Sequence, residues 1–155
     1  MKGESKMATE EHHDLIRRSL DFWNQGKLES ANEIYASDYV RHNPPHLRDV
    51  HGLIAFKEWG GAFFKAFPDS RFDAEDIISE GNMVAVRYIF HGTHKGEMRG
   101  MPPTQRKIVC EGIAINRIDN GKIAETWDQF DNLGFLQQLG IIPQMGPSKE
   151  RKINK

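Results

Sequence analysis

Helical spacings fill the first half of the chain and strand alternation the second, which predicts an α+β fold rather than interleaved βαβ units. Apolar residues make up 38% of the 155 residues and aromatics 10%, enough to bury a core within one domain. Neither a linker nor an internal repeat interrupts the pattern. One domain is therefore expected over 10–142, between polar tails at 1–9 and 143–155.

The first helix is expected from about Glu10 to Gln25, because Leu15, Ile16, Leu20, Phe22 and Trp23 fall mostly on one side and Gly26 suits its stop. A shorter helix follows over about Leu28 to Tyr35. Tyr39 to Pro45 reads as a short extended segment, since Pro44 biases Asn43 away from helical geometry. The third helix, about Leu53 to Phe67, repeats Phe56, Gly60, Phe63 and Phe67 at spacings of three and four and ends at Pro68. Strands are expected near 71–80, 83–92, 107–117 and 122–131, with turns at Gly81-Asn82 and at Asp119-Asn120-Gly121. Thr93 to Arg106 reads as a long loop, and a short helix over Leu133 to Leu139 is closed by Gly140.

Charge removes several function classes. Lys plus Arg is 21 and Asp plus Glu is 22, a balance that lacks the basic footprint of a nucleic-acid binder. No run of about 18 apolar residues is present for a membrane span. The polar start MKGESKMATEEHHD has no apolar core of a secretory signal. With the single Cys110 unable to pair within the chain, a cytoplasmic location is expected. No phosphate-binding glycine loop and no Gly-x-Ser-x-Gly occurs. His42, His46 and His51 are irregularly spaced beside prolines, so no metal site is expected.

Strand alternation sorts the second half into faces. One face carries Arg87 and His91 in the second strand, Glu111, Ile113 and Ile115 in the third, and Glu125, Trp127 and Asp131 in the fourth. The opposite face carries Val84, Val86, Tyr88 and Phe90 in the second strand, a natural surface for the helices, and Asp128 in the fourth. Cys110, opposite Glu111, reads as a small core residue. Ionisable groups among Ile, Met and Trp suit a half-buried pocket, where desolvation tunes a carboxylate for acid/base work.

Several segments, in order, resemble the SnoaL-like polyketide cyclase (ester cyclase) family over roughly residues 12 to 142. They are Tyr39-Val40-Arg41-His42-Asn43-Pro44, Phe67-Pro68-Asp69, Gly92-Thr93-His94-Lys95-Gly96, Gly100-Met101-Pro102-Pro103-Thr104, Arg117 through Asp131, and Gln138-Leu139-Gly140. Pro103-Thr104-Gln105-Arg106 departs from the family's Pro-x-Thr-Gly. The resemblance implies an NTF2-like cone, a curved antiparallel sheet packed against N-terminal helices around a deep apolar pocket. It also implies ring closure by intramolecular aldol condensation with neither metal nor organic cofactor, a small hydrophobic carbonyl substrate, and a homodimer formed through the open sheet face.

On this resemblance, Asp131 in Trp127-x-x-x-Asp131 matches the family's acid/base. An Asp just before a helix is also a good N-cap, and Asp128 is the fallback acid. His42, Asn43 and Arg87 are the expected stabilisers of enolate charge. For His42 the alternative is a loop histidine, and for Arg87 an ion pair with Glu111 or Glu125. Trp127, Phe63 and Trp59 would wall the pocket, with His94 and Glu111 as further substrate contacts. A non-catalytic ligand-binding or dimerisation module stands as the alternative, as does an isomerase, dehydratase or epoxide hydrolase on the same fold.

Overall fold

Helix α1 (Lys2–Gln25) turns Leu15, Ile16, Phe22 and Trp23 into the core and stops where Gly26, at φ +66°, donates its N–H back to Phe22 O. The computed structural model describes residues 2–42 and 48–144, so Asn43 to Pro45 and most of the C-terminal tail lie outside the described residues. The helix begins at Lys2 rather than Glu10, so the expected N-terminal tail is instead its first turns. A 3-10 turn (Leu28–Ser30) and the four-residue α2 (Ala31–Ile34) replace the longer helix expected there, because extended structure already starts at Tyr35.

Strand β1 (Tyr35–His42) leads through the short β2 (Val50–His51) to α3 (Leu53–Ala66), which buries Phe56, Gly60 and Ala66. Then come β3 (Arg71–Glu80), β4 (Met83–Thr93), β5 (Lys107–Asp119), β6 (Lys122–Phe130) and α4 (Asn132–Gln138). These bounds lie close to those read from alternation. The β5–β6 turn uses Asn120 at φ +48° and Gly121 at φ +72°, the positive pair a two-residue reversing turn demands.

The six-stranded sheet runs β2-β1-β6-β5-β4-β3, and it is curved and unclosed. Pairing is antiparallel except between β1 and β6, which run parallel, so the expected antiparallel sheet is mixed. The chain reaches β6 from β1 only after the rest of the sheet is laid down, which allows a parallel pairing. Register shifts at Ala74/Asp76 and Arg117/Ile118 mark irregularities that bend the strands.

Burial alternates along β4 as far as Gly92 and along all of β5, and it decides which face is inner. Val84, Val86, Tyr88 and Phe90 point inward with Ile108, Cys110, Gly112, Ala114 and Asn116. The helices close over them through an aromatic cluster, in which Phe56 lies 4.6 Å from Tyr35 and 5.6 Å from Trp23 between ring centres. No helix among the described residues is long and apolar enough to cross a membrane.

Candidate active site

Between the helices and the inner sheet face lies a cavity of about 620 Å³. Its walls are largely apolar, from Trp23, Trp59, Phe63, Phe72, Phe90 and their neighbours, and Met98, Met101, Leu133 and Ile142 contribute near the chain's later turns. The polar groups gather where β1, β6, β5 and β4 lie side by side. The register places Val86, Ala114 and Asp128 in one row and Tyr88 beside Gly112 in the next, so these side chains share a face.

Asp128, 6% exposed, is the acidic residue of the cavity wall. One carboxylate oxygen accepts from Arg41 Nη2, and the other accepts from Tyr88 Oη at 2.7 Å. Each oxygen has a second lone pair, so both keep capacity for a further proton or donor. Arg41 sits on β1 with its guanidinium carbon 4.7 Å from the Trp59 ring centre, a cation–π contact that holds the fork in place. Burial alone would lower the pKa of Arg41, but Asp128 beside it, with Tyr39 and Tyr88, carries it upward, so the residue stays a cation. Burial also pushes the Tyr39 and Tyr88 phenols above their ordinary range, keeping both as neutral O–H donors.

The surrounding sequence builds this geometry. A Cβ on Gly112 would collide with the Tyr88 ring and hydroxyl, so glycine there makes room for the phenol to reach Asp128. Thr126 Oγ1 donates to Asn116 Oδ1 at 2.8 Å, and Asn116 Nδ2 donates to Val84 O at 3.4 Å, which ties down the inner ends of β5 and β6.

Of the residues expected at the site, Trp59 and Phe63 line the cavity. Asp131 does not. Its carboxylate accepts from Gly134 N at 2.8 Å as the N-cap of α4, and the residue is exposed. A Cβ at Gly134 would strike that carboxylate, so the Asp131-x-x-Gly134 spacing is itself a capping feature. The inner acid is Asp128, because alternation puts position 128 on the buried face and returns 131 to the helix start.

The face carrying Arg87, His91, Glu111 and Trp127 is the outer one, so its ionisable groups do not line the half-buried pocket that they suggest in the sequence. Arg87 pairs there with Asp76 at 2.7 Å rather than with Glu111 or Glu125. Glu111 is exposed, and its backbone carbonyl accepts from Asp131 N. Trp127, 36% exposed, stacks on His42 at 5.1 Å between ring centres. His42 is bonded by Asp49 at 2.8 Å and Glu125 at 2.7 Å, outside the cavity. His94 is fully buried against Phe67 and takes the Thr104 N–H on Nδ1 at 3.2 Å, so it organises the loop over 94–106 rather than the cavity wall. Asn43 lies outside the described residues. Tyr39, Arg41 and Tyr88 escaped the reading of the sequence, although Tyr39 and Arg41 alternate on β1 and Tyr88 stood in the row assigned to the helices.

The model of the SnoaL-like polyketide cyclase family matches residues 13–139. The chain is 33% identical to nogalonic acid methyl ester cyclase of Streptomyces nogalater over 121 residues, 76% of this chain and 89% of that one. It is 31% identical to aklanonic acid methyl ester cyclase DnrD of Streptomyces peucetius over 132 residues, 82% of this chain and 89% of the relative. Among solved structures it superposes on AclR from Streptomyces galilaeus with a TM-score of 0.78 at 25% identity, covering 90% of this chain and 87% of that one. IdmH from Streptomyces antibioticus gives 0.71 at 30%, covering 83% and 98%. With the helix-covered, curved sheet and its cavity in place, the match along nearly the whole domain shows that the chain belongs to the SnoaL-like polyketide cyclase family.

Proposed function

We propose that the protein is a cofactor-free acid/base enzyme that closes a ring in a hydrophobic carbonyl compound by intramolecular aldol-type chemistry, with Asp128 as proton carrier. The observation that carries this reading is one buried carboxylate held by Arg41 and Tyr88 in the wall of a large apolar cavity. Asp128 takes a proton from a carbon next to a carbonyl, and the electron pair moves onto that carbonyl oxygen. The enolate carbon then attacks a second carbonyl carbon of the same molecule, forming the new C–C bond. The resulting alkoxide takes the proton back from Asp128, so the carboxylate returns to its starting state.

The relatives' names supply the first compounds to try, nogalonic and aklanonic acid methyl esters. With either ester, Asp128→Asn lowers kcat by about 10²- to 10⁴-fold, while Asp131→Asn leaves turnover near wild type. Wild-type rates in Asp128→Asn refute the assignment. Binding of the esters without turnover by the wild type favours the ligand-binding module instead.

We further infer a homodimer joined through the outer sheet face. Ile113 at 51%, Ile115 at 41% and Trp127 at 36% exposure form a contiguous apolar patch, since Ile115 pairs directly with Trp127. A cytoplasmic location belongs to the same reading, because the lone Cys110 has no partner to oxidise with in the chain.

A further inference from the structure

The charges on the cavity wall do not cancel. Asp128, Arg41 and Arg99 are the charged residues among those that line it. Asp128 and Arg41 neutralise each other through their direct contact. Arg99 makes no hydrogen bond or ion pair among the described residues, so the cavity keeps one unmatched positive charge. The residue is exposed, so a ligand in the cavity reaches its guanidinium without displacing any protein partner. Its partial burial works against the cation, and no carboxylate of the protein acts to offset this. Glu97, the carboxylate nearest in sequence, is turned to the backbone, where Oε1 accepts from Gly100 N at 2.8 Å.

Arg99 comes from the β4–β5 loop, not from the sheet. It stands at the tip of a turn in which Met98 N donates to Met101 O and Met101 N donates to Met98 O, both at 3.0 Å. Arg99 and Gly100 take φ of +54° and +78°, the paired positive angles of a tight reversal, which favour Asn or Gly over a long side chain at the first position. Met98 and Met101 both line the cavity, so the turn is seated on its wall and carries the arginine at the rim. The backbone itself gives no reason for arginine there, which leaves what the side chain meets as the reason.

We propose that Arg99 holds a carboxylate of the substrate at the rim of the cavity while Asp128 acts on a carbon further in. This rests on the reading of Asp128 as proton carrier and narrows its substrate class to a largely apolar carbonyl compound with one monoanionic end. The apolar body lies among Trp23, Trp59 and Phe63. The planar guanidinium offers two parallel N–H donors that match the two oxygens of a carboxylate. Keeping the anion at the rim spares it full desolvation, and the unmatched positive charge draws it to the mouth from solution. The contact also decides which end of the compound enters first, and so which carbon meets Asp128.

The test titrates anthracene-2-carboxylate and its methyl ester, fluorescent probes with the same flat apolar body, against the full chain at neutral pH. Wild type binds the carboxylate about 10-fold more tightly than the ester. Arg99→Gln removes that preference and leaves the Kd of the ester unchanged, while Arg99→Lys, which keeps the charge without the fork, retains part of it. Equal affinities in wild type, failure of the carboxylate to bind, or a preference that survives Arg99→Gln each overturns the proposal. So does an equal loss of both probes in Arg99→Gln, the result of a merely structural role in the turn. Because the titration needs no turnover, its failure leaves the proton-carrier role of Asp128 standing, whereas full activity of Asp128→Asn removes that role and leaves the Arg99 result untouched.

Discussion

A single missing side chain places the hydroxyl that holds Asp128. Gly112 lies opposite Tyr88 across β4 and β5, and the space its Cβ would fill is occupied by the phenol. Gly112→Ala therefore forces the ring aside, costs about 1–3 kcal/mol in stability and removes the donor from Asp128 Oδ1. Tyr88→Phe removes the same hydrogen bond without the collision. Denaturant unfolding of the two variants separates the effects, and an unchanged midpoint for Gly112→Ala contradicts the steric account. Asp131 behaves differently. Asp131→Ala loses the N-cap of α4 at a cost of about 1 kcal/mol and leaves ligand affinity in the cavity unchanged, which melting curves and a binding titration together reveal.

Among the elements, the seam between β1 and β6 carries a pH response on its outer side. The hydrogen bond that His42 donates to Glu125 raises the His42 pKa above its ordinary 6.5, with burial opposing and Asp49 reinforcing. The same bond lowers Glu125 below its ordinary 4.5, with burial opposing and Arg117 reinforcing. A raised histidine contributes stability that is complete below its unfolded value and disappears as pH climbs through its folded value. A lowered carboxylate contributes stability that is complete above its unfolded value and disappears as pH falls through its folded value. The pair is thus worth most between about 4.5 and 6.5. The stability difference between wild type and His42→Gln, measured by urea unfolding, shrinks from pH 6 to pH 9. A difference that stays constant over that range rules the account out. The β5–β6 hairpin belongs to this scale too, because the register set at its Asn120-Gly121 turn shifts between Ile118 and Arg117, and beyond that shift Thr126 and Asp128 are the buried positions of β6.

At the scale of the whole molecule, the cone has two apolar surfaces of opposite use. The inner one wraps the cavity, and the outer one exposes Ile113, Ile115 and Trp127 where little in the described chain covers them. Ile115→Glu puts a charge at the centre of that outer patch. In sedimentation it converts a dimer to a monomer while leaving the cavity's affinity for its ligand intact. A wild-type protein that sediments as a monomer at micromolar concentration refutes the dimer.

Periodicity by itself determined the apolar face of α1, the helix α3, the four long strands and the Asn120-Gly121 turn, because local spacing and turn chemistry are properties of neighbouring residues, while the family was legible from the resemblance of its ordered motifs. Trp59 and Phe63 were legible as pocket walls for the same reason, lying on the apolar stripe of α3. The Val84–Phe90 row was legible as the surface for the helices, and it is the buried one. That the cavity opens on this same face was not legible, because alternation does not say where the covering helices leave space. The packing of α1 and α3 left it there, which put Asp128 in its wall and left Asp131 to cap α4. It also sent Arg87, Glu111, His42 and Trp127 outside. The parallel pairing of β1 with β6 then brought Arg41, distant in sequence, to the Asp128 carboxylate, a contact that only the folded chain makes.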